Sequence, residues 1–295
     1  CCSLRYLAKE SQDNTSFLKG ALQVATKFFS KEHEGKFIFN SLTILKAVGK
    51  FLPEDLFSVT CLHGLEIWNA CCSNDSDLRP IAVKVYSLHL QIQPINREEF
   101  SKSCLLDCIE KLKSNEVDSY DGMIMLCVKL YQIFPKIFDV SRMTQLRDIL
   151  LHLASIPKES LLQQVYDIVL LFIPDFPSVY KPKANEFLLI LISQLMGGIG
   201  VPSLLPKVSS LIIVFHRLKL KTLMAQSVLD LVTCISPLSK YKKYSNDIFS
   251  VLLTVMKLYP SLQPPASLFL KAKPCEQYLQ VINLRPCYLK ELKCF

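Results

Sequence analysis

Twelve cysteines and five histidines stand in this chain, and thiolate and imidazole are the groups that bind zinc or attack an electrophile. Their spacing argues against both uses. Cys104 and Cys108 are one helical turn apart, Cys71 and Cys72 are adjacent, and Cys61-Leu62-His63 sets a histidine two residues from a thiol. None of these is the paired CxxC spacing of a structural zinc site. His33, His63, His89, His152 and His216 are scattered along the sequence. No serine sits in a nucleophile elbow, and no cysteine has a recognisable partner motif. Glu98-Glu99 falls in the first turn of an expected helix, where interaction with the helix dipole accounts for it. The expectation is a chain that is not an enzyme and needs no cofactor and no metal, its cysteines serving as core thiols.

Two further motifs concern phosphate. Met196-Gly197-Gly198-Ile199-Gly200 follows a helical run, not a strand, and no Lys-Ser/Thr comes after it. A glycine-ended helix leading into Pro202 is the better reading. Arg217-Leu218-Lys219-Leu220-Lys221 and Lys240-Tyr241-Lys242-Lys243-Tyr244 gather positive charge near helix corners. Arg217, Lys219, Lys221, Lys240, Lys242 and Lys243 therefore form a candidate basic surface for an acidic partner or for nucleic acid. The interleaved tyrosines could stack on bases. A solvated turn that keeps the protein soluble uses the same residues, and a moderate charge excess favours that plainer role over direct nucleic-acid binding.

Charge is unevenly distributed. Residues 1–180 hold 19 Lys and Arg against 21 Asp and Glu, and residues 181–295 hold 15 against 5. The boundary at 180/181, with Pro174, Pro177 and Pro182 nearby, divides the chain into a near-neutral half, 1–180, and a basic half, 181–295, expected to pack continuously. The opening Cys1-Cys2-Ser3-Leu4-Arg5-Tyr6 is not a signal peptide. Disulfide scaffolds are small and loop-rich, whereas Cys61, Cys127 and Cys234 fall within apolar helical runs. A reducing compartment is expected, nuclear before cytoplasmic, and not secretion. The most apolar stretch, Phe187 to Val201, contains Ser193, Gln194 and three glycines, and falls short of the roughly 20 apolar residues that span a bilayer.

The elements that must carry these residues are helices. Apolar positions recur at helical spacing. Ser16 to Phe29 sets Phe17, Ala21, Val24, Ala25 and Phe28 on one face, and Glu54 to Ala70 reads as one helix through Leu56, Val59, Leu62 and Ile67. Asp77 is placed to cap a helix reaching Ile92, and Asn96 one from Glu98 to Lys113. Further helices are expected from Asp118 or Ser119 to a point before Pro135, from Ser141 to near Ser155, from Lys158 to Ile173 and from Asn185 to Met196. Ser203 to Arg217, Thr222 to Ile235 and Asn246 to Tyr259 follow, with short helices near 277–282 and 288–292 in a proline-rich terminal cap.

Prolines 53, 94, 135 and 174 each close an apolar run, and Pro260 closes another two intervals on. Proline lacks the N–H donor and clashes with the preceding turn, so it stops a helix. A stop about every forty residues predicts an all-α fold of stacked antiparallel helix pairs, an α-solenoid similar to HEAT and armadillo arrays. About six or seven pairs fit the length.

Between residues 80 and 180 there is a narrower likeness. Arg142-Met143-Thr144-Gln145-Leu146-Arg147-Asp148-Ile149-Leu150-Leu151 precedes Leu161-Leu162-Gln163-Gln164-Val165-Tyr166, and Pro174-Asp175-Phe176-Pro177-Ser178-Val179 closes the unit. This order resembles the centromere protein I family of inner-kinetochore solenoids over about a third of the chain. The resemblance implies a nuclear scaffold at centromeric chromatin that grips helical partner subunits.

These readings point to a non-catalytic protein–protein interaction scaffold in a chromosome-associated assembly of kinetochore, DNA-repair or recombination type. Its expected partners are protein subunits presenting helical segments or peptides. The alternatives are a helical-repeat module that binds DNA or RNA through its basic half, and a trafficking or transport-receptor solenoid.

Overall fold

The computed structural model describes residues 15–29, 35–49, 51–92, 96–114, 120–198, 201–219, 221–235 and 245–259. Among them are helices and turns and no strand, so the fold is all-α. Internal packing divides the chain into two compact units between Asp139 and Val140. The charge boundary at 180/181 falls inside the second unit, so the change in charge and the change in packing occur at different places.

The first unit comprises α1 (Thr15–Phe29), α2 (Gly35–Val48), α3 (Pro53–Leu62), α4 (Gly64–Cys71), α5 (Leu78–Ile92), α6 (Arg97–Lys113) and α7 (Tyr120–Ile133), followed by a 3-10 turn at Pro135–Ile137. Helix α5 is its centre and packs against α2, α3, α4, α6 and α7. It can do so because Leu78, Ala82, Val83, Val85 and Leu90 are all buried, and the small ones let neighbouring backbones approach.

Sequence periodicity and structure differ instructively in this unit. Helix α1 has apolar residues on more than one face, and it buries Leu18, Leu22, Ala25 and Phe29 against its neighbours. Phe17 and Val24, expected in the core, are 46% exposed. The expected single helix from Glu54 to Ala70 breaks at His63 (φ −113°, ψ 27°), just ahead of Gly64. Glycine raises the cost of continuing the helix; the break turns Leu62 and Leu65 out to solvent, at 71% and 70% exposure. The cap of α5 is Asp75, not Asp77: its carboxylate accepts from the N–H groups of Asp77 (2.8 Å) and Leu78 (3.1 Å). Asn96 does stand at the N-cap of α6, but at φ 51° its side chain makes no capping bond.

Prolines act at helix boundaries in two ways. Pro135 and Pro174 follow the ends of α7 and of the later Glu159–Phe172 helix. Pro53 instead opens α3 at its first position, where a missing N–H costs nothing; the preceding helix has already ended at Val48. Pro94, Pro260 and the short helices expected near 277–282 and 288–292 lie outside the described residues.

The second unit comprises α8 (Val140–Ala154), α9 (Glu159–Phe172), α10 (Pro177–Tyr180), a 3-10 turn at Lys181–Lys183, α11 (Ala184–Met196), α12 (Val201–Arg217), α13 (Lys221–Ile235) and α14 (Ser245–Leu258). Helix α8 packs on α9, α10 and α11, α9 on α12, α11 on α12 and α13, and α14 on α12 and α13. Helix α9 buries Leu161, Leu162, Val165, Tyr166, Ile168, Val169 and Phe172. Pro206 lies inside α12, so one carbonyl of its first turns goes without an intrahelical N–H.

Polar side chains bridge neighbouring helices. The buried Tyr166 hydroxyl donates to the carbonyl of Phe187 (2.9 Å). The Gln194 amide donates to the carbonyls of Ala154 (3.3 Å) and Ser155 (3.2 Å), two of the groups that a helix C-terminus leaves without a partner. Lys207 pairs with Asp167, and Ser227 donates to Asn185 (2.5 Å).

Among the described glycines the least room for a side chain is at Gly122 on α7. A Cβ there would lie 1.8 Å from the carbonyl oxygen of Cys71, at the end of α4. Gly122→Ala should therefore destabilise the first unit by about 3 kcal/mol, the upper range for overpacking. Gly20→Ala is the opposite case: nothing lies within 4 Å of a Cβ at that position in α1, and the gain in helix propensity should add up to about 1 kcal/mol. Urea unfolding followed by Trp68, the sole tryptophan, measures both.

Candidate functional site

The chemistry-bearing residues of the first unit converge around α5. Cys71 on α4, Cys104 and Cys108 on α6 and Cys127 on α7 are all free and buried. The thiol of Cys108 lies beside those of Cys104 and Cys127, and the Tyr86 hydroxyl lies beside Cys104. Burial pushes the Cys71 and Cys108 thiols well above their usual range, and the Tyr86 phenol is pushed up by the same cause. Thiolate is the form that attacks or ligates, and burial disfavours it at Cys71 and Cys108. Among the described residues no group of three or more His, Cys, Asp or Glu is arranged to hold a metal ion. Cys61, expected in the core, is exposed, because it lies near the end of α3 beside the break at His63.

His89 occupies the centre of an aromatic cluster. Its ring stacks on Phe57 (5.3 Å, 3°), meets Phe100 edge-on (5.8 Å) and tilts against Tyr86 (6.1 Å). Nδ1 lies 2.7 Å from the Thr60 hydroxyl, which itself lies 2.8 Å from the carbonyl of Leu56. The hydroxyl has one proton to give. With that proton directed to the Leu56 carbonyl, Nδ1–H donates to Thr60. Burial holds the His89 pKa below its ordinary 6.5.

The other histidines are dispersed, as their sequence positions suggest. His63 is buried and stacked on Phe29 (5.0 Å), His152 is exposed, and His216 meets Tyr259 edge-on (5.7 Å). His33 lies outside the described residues.

Above the thiols, Tyr86 and Trp68 form two walls of an open cleft of about 550 Å³. Their rings are 5.6 Å apart and tilted by 58°. Helix α6 supplies the third wall through Asp107, Glu110, Lys111 and Ser114. The carboxyl group of Asp107 is raised above the usual carboxylate range by partial burial. Glu110 pairs with Lys113 at 2.8 Å. The sequence carried a signal for this wall, since 107, 110, 111 and 114 share one helical face. Nothing in it tied that face to Trp68, which lies on a different helix.

The basic residues singled out from sequence belong to the second unit. Arg217 ends α12 and Lys219 follows in the turn, in left-handed backbone (φ 59°), with both side chains exposed. Cations at a helix C-terminus face its partial negative charge. Lys221 opens α13, and Lys240, Lys242 and Lys243 lie outside the described residues. The glycine motif ends α11: Gly197 donates to Ser193 (3.0 Å) and Gly198, at φ 76°, donates to Leu195 (3.0 Å). No described helix is long and apolar enough to cross a membrane. No protein-family model, curated protein or solved structure matches this chain.

The neutral state of His89 has a pH consequence. Its native pKa lies below 6.5, so in acid the unfolded chain takes up the proton first. Its contribution to stability is complete above pH 6.5 and declines as pH falls from there through the native pKa, by at most about 1.4 kcal/mol per pH unit. Urea unfolding at pH 7.5 and 5.5, compared between the native chain and His89→Phe, measures this: the variant should lose less stability over that interval.

Proposed function

We propose that the chain is a non-catalytic protein–protein interaction scaffold built from stacked helix pairs of the HEAT or armadillo kind. The carrying observation is the order of contacts within the second unit. There α8, α11 and α13 touch in succession, as do α9, α12 and α14. The side-chain bonds between those helices span 40 residues (Gln194 to Ala154, Lys207 to Asp167), 41 (Ser209 to Ser250), 42 (Ser227 to Asn185) and 44 (Ser203 to Glu159). A unit of about forty residues that dries its neighbour is what such arrays are made of. In the first unit, α2 packs on α5 and α5 on α7, and Arg79 on α5 reaches Asp121 on α7 across 42 residues.

Arrays of this kind work by offering an extended face to helices or peptides. The preferred setting is nuclear and chromosome-associated. It draws on the resemblance of residues 142–179 to the centromere protein I family and on the basic character of residues 181–295. Expressed with a tag in cells, the chain should sediment well above its own 33.6 kDa and locate to chromosomes. Recovery at its own mass, or location at cytoplasmic membranes, overturns the reading.

Direct contact with nucleic acid is the second reading, favoured by the exposure of Arg217 and Lys219. Replacing Lys219, Lys221, Lys240, Lys242 and Lys243 by Glu should then abolish binding to DNA, and the native chain's affinity should fall steeply with salt. A filter-binding titration from 50 to 200 mM salt decides it: affinity that ignores both salt and substitution removes the reading.

A further inference from the structure

The cleft above the thiol cluster combines two features that select one kind of ligand. Trp68 and Tyr86 meet at 58° with ring centres 5.6 Å apart, so their planes form a corner and not a flat stack. Each aromatic face carries the negative side of a quadrupole, which attracts a cation desolvated against it. Opposite them, α6 presents Asp107 and Glu110 from one helical face, with Lys111 and Ser114 completing the lining. Among the described residues of this wall, Asp107 and Glu110 stand beside Lys111.

The carboxylates are not equivalent. Glu110 holds Lys113 at 2.8 Å on the solvent side. Asp107 is partly desolvated, and that burial alone accounts for the upward displacement of its pKa. Asp107 is an exposed residue lining the cleft, and a cation arriving beside its carboxylate favours the charged form. An anion would meet the two acids, and a bare metal ion would find no set of three ligands among the described residues. The volume, about 550 Å³, lies in the range of ligand sites and exceeds a single side chain, leaving room for the backbone that carries it.

We infer that this cleft receives a basic side chain, lysine or arginine, presented by a partner peptide, with the cation between the Trp68–Tyr86 corner and Asp107 and its aliphatic stem along the rings. The source of the side chain rests on the scaffold reading. The cation chemistry does not, since the cleft would take the same group from any peptide.

Trp68 is the sole tryptophan, so its fluorescence reports occupancy directly. The intact chain is titrated with blocked pentapeptides of alanine carrying lysine, arginine or norleucine at the centre. Lysine or arginine should give a saturable change in emission, and norleucine, of similar length without charge, none. The response to lysine against arginine identifies the preferred head group. Asp107→Asn, whose fold is checked by circular dichroism, should weaken the cationic peptides on the order of tenfold, as expected for loss of a charge-assisted contact. Glu110→Gln serves as a second variant, weakening them less. Equal responses to norleucine and lysine, silence with both cations, or undiminished affinity in Asp107→Asn overturns the inference. A chain that binds none of these peptides yet sediments in a large assembly loses the cleft and keeps the scaffold; one that binds them but sediments alone does the reverse.

Discussion

Helices of about 12–15 residues are marginal in water even when their sequences favour them. The described helices of eight residues or more run from 8 in α4 to 17 in α6 and α12. Each therefore depends on burying a face against a neighbour, and this requirement organises the rest of the structure. It explains why α5, with Ala82, Val83 and Val85 on its buried positions, lies in contact with five other helices. It also explains why α9 submerges half of its residues. Several hydroxyl groups that enter such surfaces are satisfied locally. Thr26, Thr43, Thr60 and Ser101 each return their hydroxyl proton to a carbonyl four residues back. A hydroxyl that closes on its own helix makes little demand on the neighbour that covers it.

Much of this was legible in the sequence because helix boundaries are set locally. Pro135 and Pro174 end helices through their missing donors, and Gly197-Gly198 ends one through a backbone conformation open to glycine. What periodicity leaves undetermined is the choice between competing faces. In α1, Phe17 and Val24 are as apolar as Leu18 and Leu22, and only the helices packed around them select the second pair. The break at His63-Gly64 was hidden for a related reason: the apolar pattern runs through it from Leu56 to Ile67 without interruption, while the backbone does not.

The candidate sites divide along the same line. Buried thiols and a neutral histidine follow from apolar surroundings, which sequence reports well for Cys71, Cys104, Cys108 and Cys127. Cys61 departs from that pattern because it sits near a helix end. The Trp68–Tyr86–Asp107 cleft depends on three helices meeting, which is a tertiary fact. Sequence shows the acidic stripe on α6 and the lone tryptophan on α4, but their adjacency requires α5 to come between them and contribute Tyr86.

The bridges between helices in the second unit have a mechanical meaning. Gln194, Lys207, Ser227 and Ser209 each reach a residue 40 to 42 positions away, so load passed along the chain is borne by one such tie after another. Tension on the C-terminal side of that unit would bear first on the contacts of α14 with α12 and α13, and only through them on α8.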